Sequence, residues 1–402
     1  MEPVTHFLTG ACIGRAGFNR KTAYATLAAA LAAEAADLDV FWGFAGPVDE
    51  LKHHRGITHT FWAVPVVAAV VVGAVWLIDR ARHKRAVSGH DFSRADKTQQ
   101  DPGALTSAAK PHVAPPLRQP IHWGWLYAAA FIAALSHLLL DWTNNYGVRP
   151  FFPLNPHWYA GSFMFIAEPI LWMLFFLAFF MPWVLGLADR EIGARRKPFR
   201  GRGWAIFALT GMLLLGCWRW AEHAHALAML QNADVASEPV LRDAAEPYPI
   251  NPFRWHAILE TPGFYQTAEI NTWSGSIDSD PHRDVLYKPA DTPAVEAAKR
   301  TPLGHVYLDW GTWAVVRDVG QEPVAGLDPP NLPPGRTWTT VEFTDLRFDY
   351  SFLPTRAATA GRSQLVGWVY IVDNREDGAP ADRSSSAGWE DAGEIMGGRE
   401  QH

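Results

Sequence analysis

Residues 123–147 read WGWLYAAAFIAALSHLLLDWTNNYG. Up to Leu140 the run is apolar enough and long enough to cross a bilayer as a helix, which takes about 20 residues for a hydrocarbon core of about 30 Å. At its end the pattern changes. His137 and Asp141 stand four residues apart, a spacing that stacks two side chains on one face of a helix. Ionisable groups at the end of a span are costly unless they are paired or put to use. This one stretch therefore predicts both a polytopic helical membrane protein and a site at one end of it.

Working outward, three more segments have the same character: 61–78 (FWAVPVVAAVVVGAVWLI), 163–187 (FMFIAEPILWMLFFLAFFMPWVLGL) and 204–220 (WAIFALTGMLLLGCWRW). Pro182 inside the third span predicts a kink. The chain carries 19 Trp, many near span ends, where such rings anchor at the interface. Residues 4–18, short for a span, and 22–44, which end in Glu34, Asp37 and Asp39, are weaker candidates; as a helical hairpin packed on the bundle they would give six membrane helices. MEPVTHFLTG at the start lacks a basic region before an apolar core, so insertion is expected to use the spans themselves.

Net charge is -6 and charged residues are 19%, which gives no reason to expect a nucleic-acid partner. Cys12 and Cys217 are the two cysteines, and both sit in apolar runs, so neither a disulfide framework nor a Cys-based metal site is expected. No G-x-S-x-G, Walker-type loop or dinucleotide fingerprint is present.

Basic residues set the orientation. Arg80, Arg82, Lys84 and Arg85 follow the first span. Arg190, Arg195, Arg196, Lys197, Arg200 and Arg202 fill loop 188–203, whereas loop 141–162 has only Arg149. The excess of Lys and Arg places the two basic loops in the cytoplasm of an inner-membrane protein. Residues 37–60, loop 141–162 and everything after 220 are then extracytoplasmic. Loop 79–122, polar and rich in Ala, Pro and Ser, is expected to be a disordered cytoplasmic insertion.

The membrane domain covers 1–230. Residues 235–373 predict a small β-rich soluble domain, with strands at 253–261, 264–273, 304–309, 312–319, 339–350 and 364–373. Within 339–350, Val341 and Phe343 keep one phase while Leu346, Phe348 and Tyr350 keep the other, which predicts a bulge. Thr292-Pro293 predicts a helix start. Residues 374–402 are expected to be a disordered tail.

The chemistry gathers in two clusters: Asp37 and Asp39 followed by His54, Arg55 and His59, and then His137 and Asp141. Under the charge-based orientation they share one membrane face, with His6 if the hairpin forms and with Glu168 near the start of the third span. Imidazole plus carboxylate suits zinc, and also manganese or iron. Arg55 offers a guanidinium for a phosphate or carboxylate, or else anchors to lipid headgroups. Gly56 is expected to make the tight turn that lets His54 and His59 converge. His157 is a further candidate on the same side; His223 and His225 read as a surface helix face, and His256, His282 and His305 make no ligand pattern.

THFLTGA near the start, D-x-D at 37–39, HRGITH at 54–59 and HLLLDWTNNYGVRPFFP at 137–153 resemble the YdjM/YbcI family of membrane-bound, metal-dependent hydrolases. The resemblance spans about residues 1–230. The tail, with NPFRWHAILETPGFYQ and GHVYLDW, is similar to the extracytoplasmic extension of longer members. Residue by residue, it implies roles for His6, Asp37, Asp39, His54, Arg55, His59, His137 and Asp141; Glu168-Pro169 stands where members often have Asp-Pro. More distantly the ligand pattern is similar to that of zinc phospholipases C and fungal zinc nucleases, which implies phosphoester hydrolysis by analogy alone.

The resulting expectation is a hydrolase at the outer face of the inner membrane. Metal-activated water would attack a phosphoester of a lipid or envelope-derived substrate. His6, Asp37, Asp39, His59, His137, Asp141 and Glu168 would hold metal, and Asp39, His54 and Arg55 would serve catalysis. Membrane lipids are the expected partners, with a lipid or phosphoester as substrate; the sequence names no particular protein partner and leaves that question open. The alternatives are a non-catalytic membrane protein with a structural metal or polar network, whose C-terminal domain binds a partner, and an ion-coupled transporter.

Overall fold

The computed structural model describes residues 1–95, 119–193, 201–351, 365–374 and 388–397. The chain forms two compact units, each assembled from separated stretches. One comprises 1–37, 58–140 and 169–214; the other comprises 38–57, 141–168 and 215–402.

The first unit is helical. α1 (Pro3–Ala16) and α2 (Ala25–Glu34) form the expected hairpin. Its closeness depends on two glycines of α1. A Cβ at Gly10 would lie 2.3 Å from the Ala29 carbonyl oxygen, and one at Gly14 would lie 2.5 Å from the Thr26 Cα. α2 itself is rich in buried alanines, and Ala29 and Ala33 are the ones that meet Gly10. At 14 and 10 residues the two helices reach about 21 and 15 Å, too short to cross a bilayer. Four spanning helices and this non-spanning hairpin together make the six-helix arrangement that the sequence allows.

Among the described residues four helices are long and apolar enough to span. α4 begins at Ala63 and continues to Ala95, after the short α3 (Pro47–His53) of the second unit. α5 is Trp123–Thr143, α6 Pro169–Glu191 and α7 Arg202–Gln231. α6 starts at Pro169 rather than 163 and runs through Pro182. The insertion expected to be disordered is helical through residue 95; its residues 96–118 lie outside the described residues, as do 194–200 of the second basic loop.

The second unit carries two antiparallel sheets. β1 (Arg242–Pro247), β2 (Arg254–Glu260), β3 (Phe264–Asn271) and β4 (Ser276–Asp278) pair in that order, and β5 (Val285–Tyr287) also pairs with β3. After α8 (Pro293–Lys299) and α9 (Pro302–Trp310), β6 (Ala314–Gly320), β7 (Trp338–Asp345), β8 (Val366–Asp373) and β9 (Trp389–Gly397) form a meander. α8 and α9 cover one face of it. Ala294, Val295, Ala298, Leu303, Tyr307 and Trp310 pack on Val341, Phe343, Val369 and Ile371.

Three expectations change here. Residues 304–309 are helix α9, not strand. Thr301-Pro302 repeats the helix-start signal of Thr292-Pro293, and both threonine hydroxyls accept a backbone N–H three residues on. The phase slip after Phe343 is the end of β7, not a bulge: Asp345 accepts from the Arg347 N–H and caps a 3-10 turn at Leu346–Phe348. Residues 389–397, placed in a disordered tail, are strand β9. The rest of that tail, 375–387 and 398–402, lies outside the described residues.

Candidate metal centre

In the first unit α2 ends at Glu34, and a 3-10 stretch, Ala35–Phe44, takes over and presents Asp37. A second short turn, Ile57–His59, presents His59, and α5 presents His137. One ligand atom from each of these three residues lies within 4.8 Å of the others.

The geometry is tighter than that bound. His137 Nε2 is 2.9 Å from His59 Nε2 and 3.5 Å from Asp37 Oδ1, and His59 Nε2 is 3.3 Å from Asp37 Oδ1. A tetrahedral ion with bonds of 2.0–2.1 Å separates its ligand atoms by about 3.3 Å. The triangle has the edges such an ion requires.

Hydrogen bonding fixes the tautomer of His137. Its Nδ1 lies 2.6 Å from the carbonyl oxygen of Ala33, which can only accept. The proton therefore sits on Nδ1, and Nε2 faces Asp37 and His59 with a lone pair. Ala33 belongs to the last turn of α2, where carbonyls outrun the helix's own N–H groups. A backbone carbonyl on one ring nitrogen is the usual support of a histidine that can ligate a metal through the other. His59 is steadied by the Thr58 hydroxyl, 3.0 Å from its Nδ1. A carboxylate oxygen and two imidazole nitrogens this close repel unless a proton or a cation lies among them.

His6 reaches the same place differently. Its ring stacks on His137 with centroids 3.8 Å apart, and its Nε2 donates to the Met1 carbonyl at 3.2 Å. It is packed against His137 and is not in the group whose donor atoms converge.

The second unit holds the other named residues. Asp141, one turn beyond His137 on α5, accepts from Arg55 Nη2 at 2.8 Å. Arg55 Nη1 donates to Asn144 Oδ1 and the Gly147 carbonyl, and its guanidinium lies over the Tyr146 ring. Asp39 accepts from the Arg55 backbone N–H at 2.8 Å, with His54 Nδ1 at 3.2 Å from its other oxygen. Arg55 itself adopts a left-handed backbone, φ 51°. That differs from the expectation for Gly56, whose role is closeness: a Cβ there would lie 2.8 Å from the His53 carbonyl oxygen. His54 turns to Asp39 and His59 to Asp37, so the two do not converge.

Glu168 is held by Arg219. Its Oε2 accepts from Arg219 Nη2 at 2.6 Å, and both side chains are fully buried. Arg219 also donates to the carbonyls of Tyr248 and Asn251. Arg219 was readable as a signal, because a charged residue within an apolar span requires a partner. The Ala33 carbonyl was not, since backbone groups carry no letter in a sequence. His157 is exposed, its ring edge-on to Tyr159.

No curated protein and no solved structure matches the chain. One family model does, over residues 1–226, and its description is YdjM inner membrane protein.

Proposed function

This chain belongs to the YdjM inner membrane protein family, and from that premise we propose that it is a metal-dependent hydrolase of the inner membrane. The observation that carries the reading is the triangle of His59 Nε2, His137 Nε2 and Asp37 Oδ1, with edges of 2.9–3.5 Å. In this reading Asp141, stacked one turn beyond His137, joins as a fourth donor. Two imidazoles and two carboxylates suit zinc, with manganese or iron as alternatives. Such a cation supplies positive charge that lowers the pKa of water to about 7 and polarises an ester oxygen.

The chain's own groups do the rest. The Ala33 carbonyl holds the His137 tautomer. Arg55 orients the Asp141 carboxylate and, with both its terminal nitrogens engaged by protein oxygens, serves as a positioning residue. Asp39 orients His54 through Nδ1, and Nε2 of His54 is the atom assigned to proton transfer with substrate. The favoured substrate is a phosphoester of a lipid or envelope component, with the site and the domain after α7 at the extracytoplasmic face.

The His59–His137 separation also fits a direct hydrogen bond, which favours a metal-free polar network as the second reading. Elemental mass spectrometry of the detergent-purified protein separates the two. Near-stoichiometric metal in the wild type, lost in His137→Ala/Asp141→Ala, is expected. A folded wild type that holds no metal after metal is supplied would sink the hydrolase reading.

A further inference from the structure

The segment between Asp37 and α3 has an unusual surface. Residues 38–46 read LDVFWGFAG, and the one charged residue among them is Asp39. Asp39 is only 4% exposed and is turned inward to Arg55 and His54. What the segment shows outward is apolar: Phe44 is 90% exposed, Phe41 58%, Leu38 56% and Trp42 49%. Ile57, at the other end of the same stretch of the unit, is 67% exposed. Phe41 and Phe44 stack on each other, and Trp42 stacks on His53, so these rings are held in place rather than loose.

A soluble surface rarely carries so many large apolar side chains with no charge among them. The chain on either side identifies what covers them. Phe61 and Trp62, also exposed, follow Ile57 closely and lead directly into the spanning helix α4. Trp142, exposed too, stands at the end of the spanning helix α5. Aromatic rings at span ends sit at headgroup level. We infer that Leu38–Phe44 is a non-spanning loop seated in the lipid interface, its aromatic rings among the upper acyl chains. The occupant of this surface is the bilayer itself.

The loop begins immediately after Asp37. A lipid-seated loop therefore anchors one donor of the metal triangle at headgroup depth. On the reading of that triangle as a hydrolytic centre, the substrate class narrows to membrane lipids, whose phosphoester lies at this depth and which enter sideways from the bilayer. The backbone cost of a loop at this level is contained because its 3-10 hydrogen bonds are internal.

The test is spin-label accessibility in vesicles of phosphatidylethanolamine and phosphatidylglycerol, using the full chain. A nitroxide is placed by Phe44→Cys in a Cys217→Ala background; Cys12 is fully buried and out of reach. Lys52→Cys, an exposed position of α3, is the water-facing control. Relaxation of label 44 by oxygen severalfold stronger than by a water-soluble nickel chelate, with the reverse at label 52, is the expected result. Equal nickel accessibility at both positions overturns the inference. So does a label 44 shielded from both reagents, which would mean a protein partner instead of lipid. Metal content measured on the same samples keeps the two ideas apart. Metal bound with a water-exposed label removes the loop alone, and a lipid-exposed label without metal removes the hydrolytic centre alone.

Discussion

The donor set near His137 is assembled from groups that each have a second duty. Arg55 is buried and bridges Asp141, Asn144 and Gly147, so removing it strands a buried carboxylate. Truncating one partner of such a pair typically costs about 3–5 kcal/mol. We expect Arg55→Ala to lower the unfolding midpoint in detergent strongly, and Arg55→Lys to restore it only in part because one ammonium cannot span three acceptors. His54→Gln is expected to behave oppositely. It should keep stability and metal content but reduce turnover of a lipid phosphoester about 100-fold or more, with a flattened pH–rate profile. Equal loss of metal in His54→Gln would assign that residue to structure. Glu246 on β1 gives a pH signature. Burial pushes its carboxyl up to about 8 from a usual 4.5, against the pull of the Arg347 guanidinium and a hydrogen bond from Ser162. Between about pH 4.5 and 8 the unfolded chain releases a proton that the folded chain retains. Glu246 therefore makes stability fall as pH rises through that window. Denaturation midpoints of Glu246→Gln against pH should show a shallower fall than wild type.

Among the elements, the α1–α2 hairpin carries the most consequence for the site. It brings the last turn of α2, and with it the Ala33 carbonyl, onto His137. Gly10 and Gly14 permit the approach, because a side chain at either would fall on the backbone of α2. Gly10→Ala is expected to force the helices apart. Overpacking of this kind costs about 1–3 kcal/mol. The telling readout is metal affinity, which should weaken even though residue 10 donates nothing to the metal. Unchanged affinity, measured by competition with a chromophoric chelator, would uncouple the hairpin from the site. The hairpin was legible in the sequence as two weak apolar segments; its failure to span follows from helix lengths that only the structure supplies. The helix α9 teaches the reverse. Its threonine–proline start stands in the sequence, where residues 304–309 are expected to be a strand, and the buried face toward β7 and β8 decides for helix.

For the whole molecule, the prediction concerns sidedness. By the positive-inside rule, the basic residues after α4 and α6 lead us to expect the chain beyond α7 outside the cytoplasm. An alkaline phosphatase reporter joined after His402 should be active in cells, while the same reporter joined after Arg190 should be inactive. The reverse pattern would move the candidate centre and the β-rich domain to the cytoplasm and remove envelope substrates from consideration. The two compact units are not consecutive in the chain. Stretches 38–57 and 141–168, which sit between membrane helices in sequence, fold with the sheets. A boundary near residue 230 is therefore a boundary of composition and not of compact structure.

The sequence by itself determined the class of molecule. Four apolar runs of spanning length, a polar C-terminal half with alternating strands, and His and Asp at helical spacing follow from local chemistry, which a one-dimensional pattern records. It also named the three converging donors, Asp37, His59 and His137, because ionisable side chains beside apolar runs stand out. Tertiary structure alone decided how those residues divide their work. It paired Glu168 with Arg219, stacked His6 on His137, turned Asp39 and His54 to each other and gave the left-handed turn to Arg55 instead of Gly56. The physical reason is that a buried charge takes whichever partner packing brings within hydrogen-bond reach, and packing joins residues as far apart as Ala33 and His137. Spacing along the chain cannot rank partners of that kind.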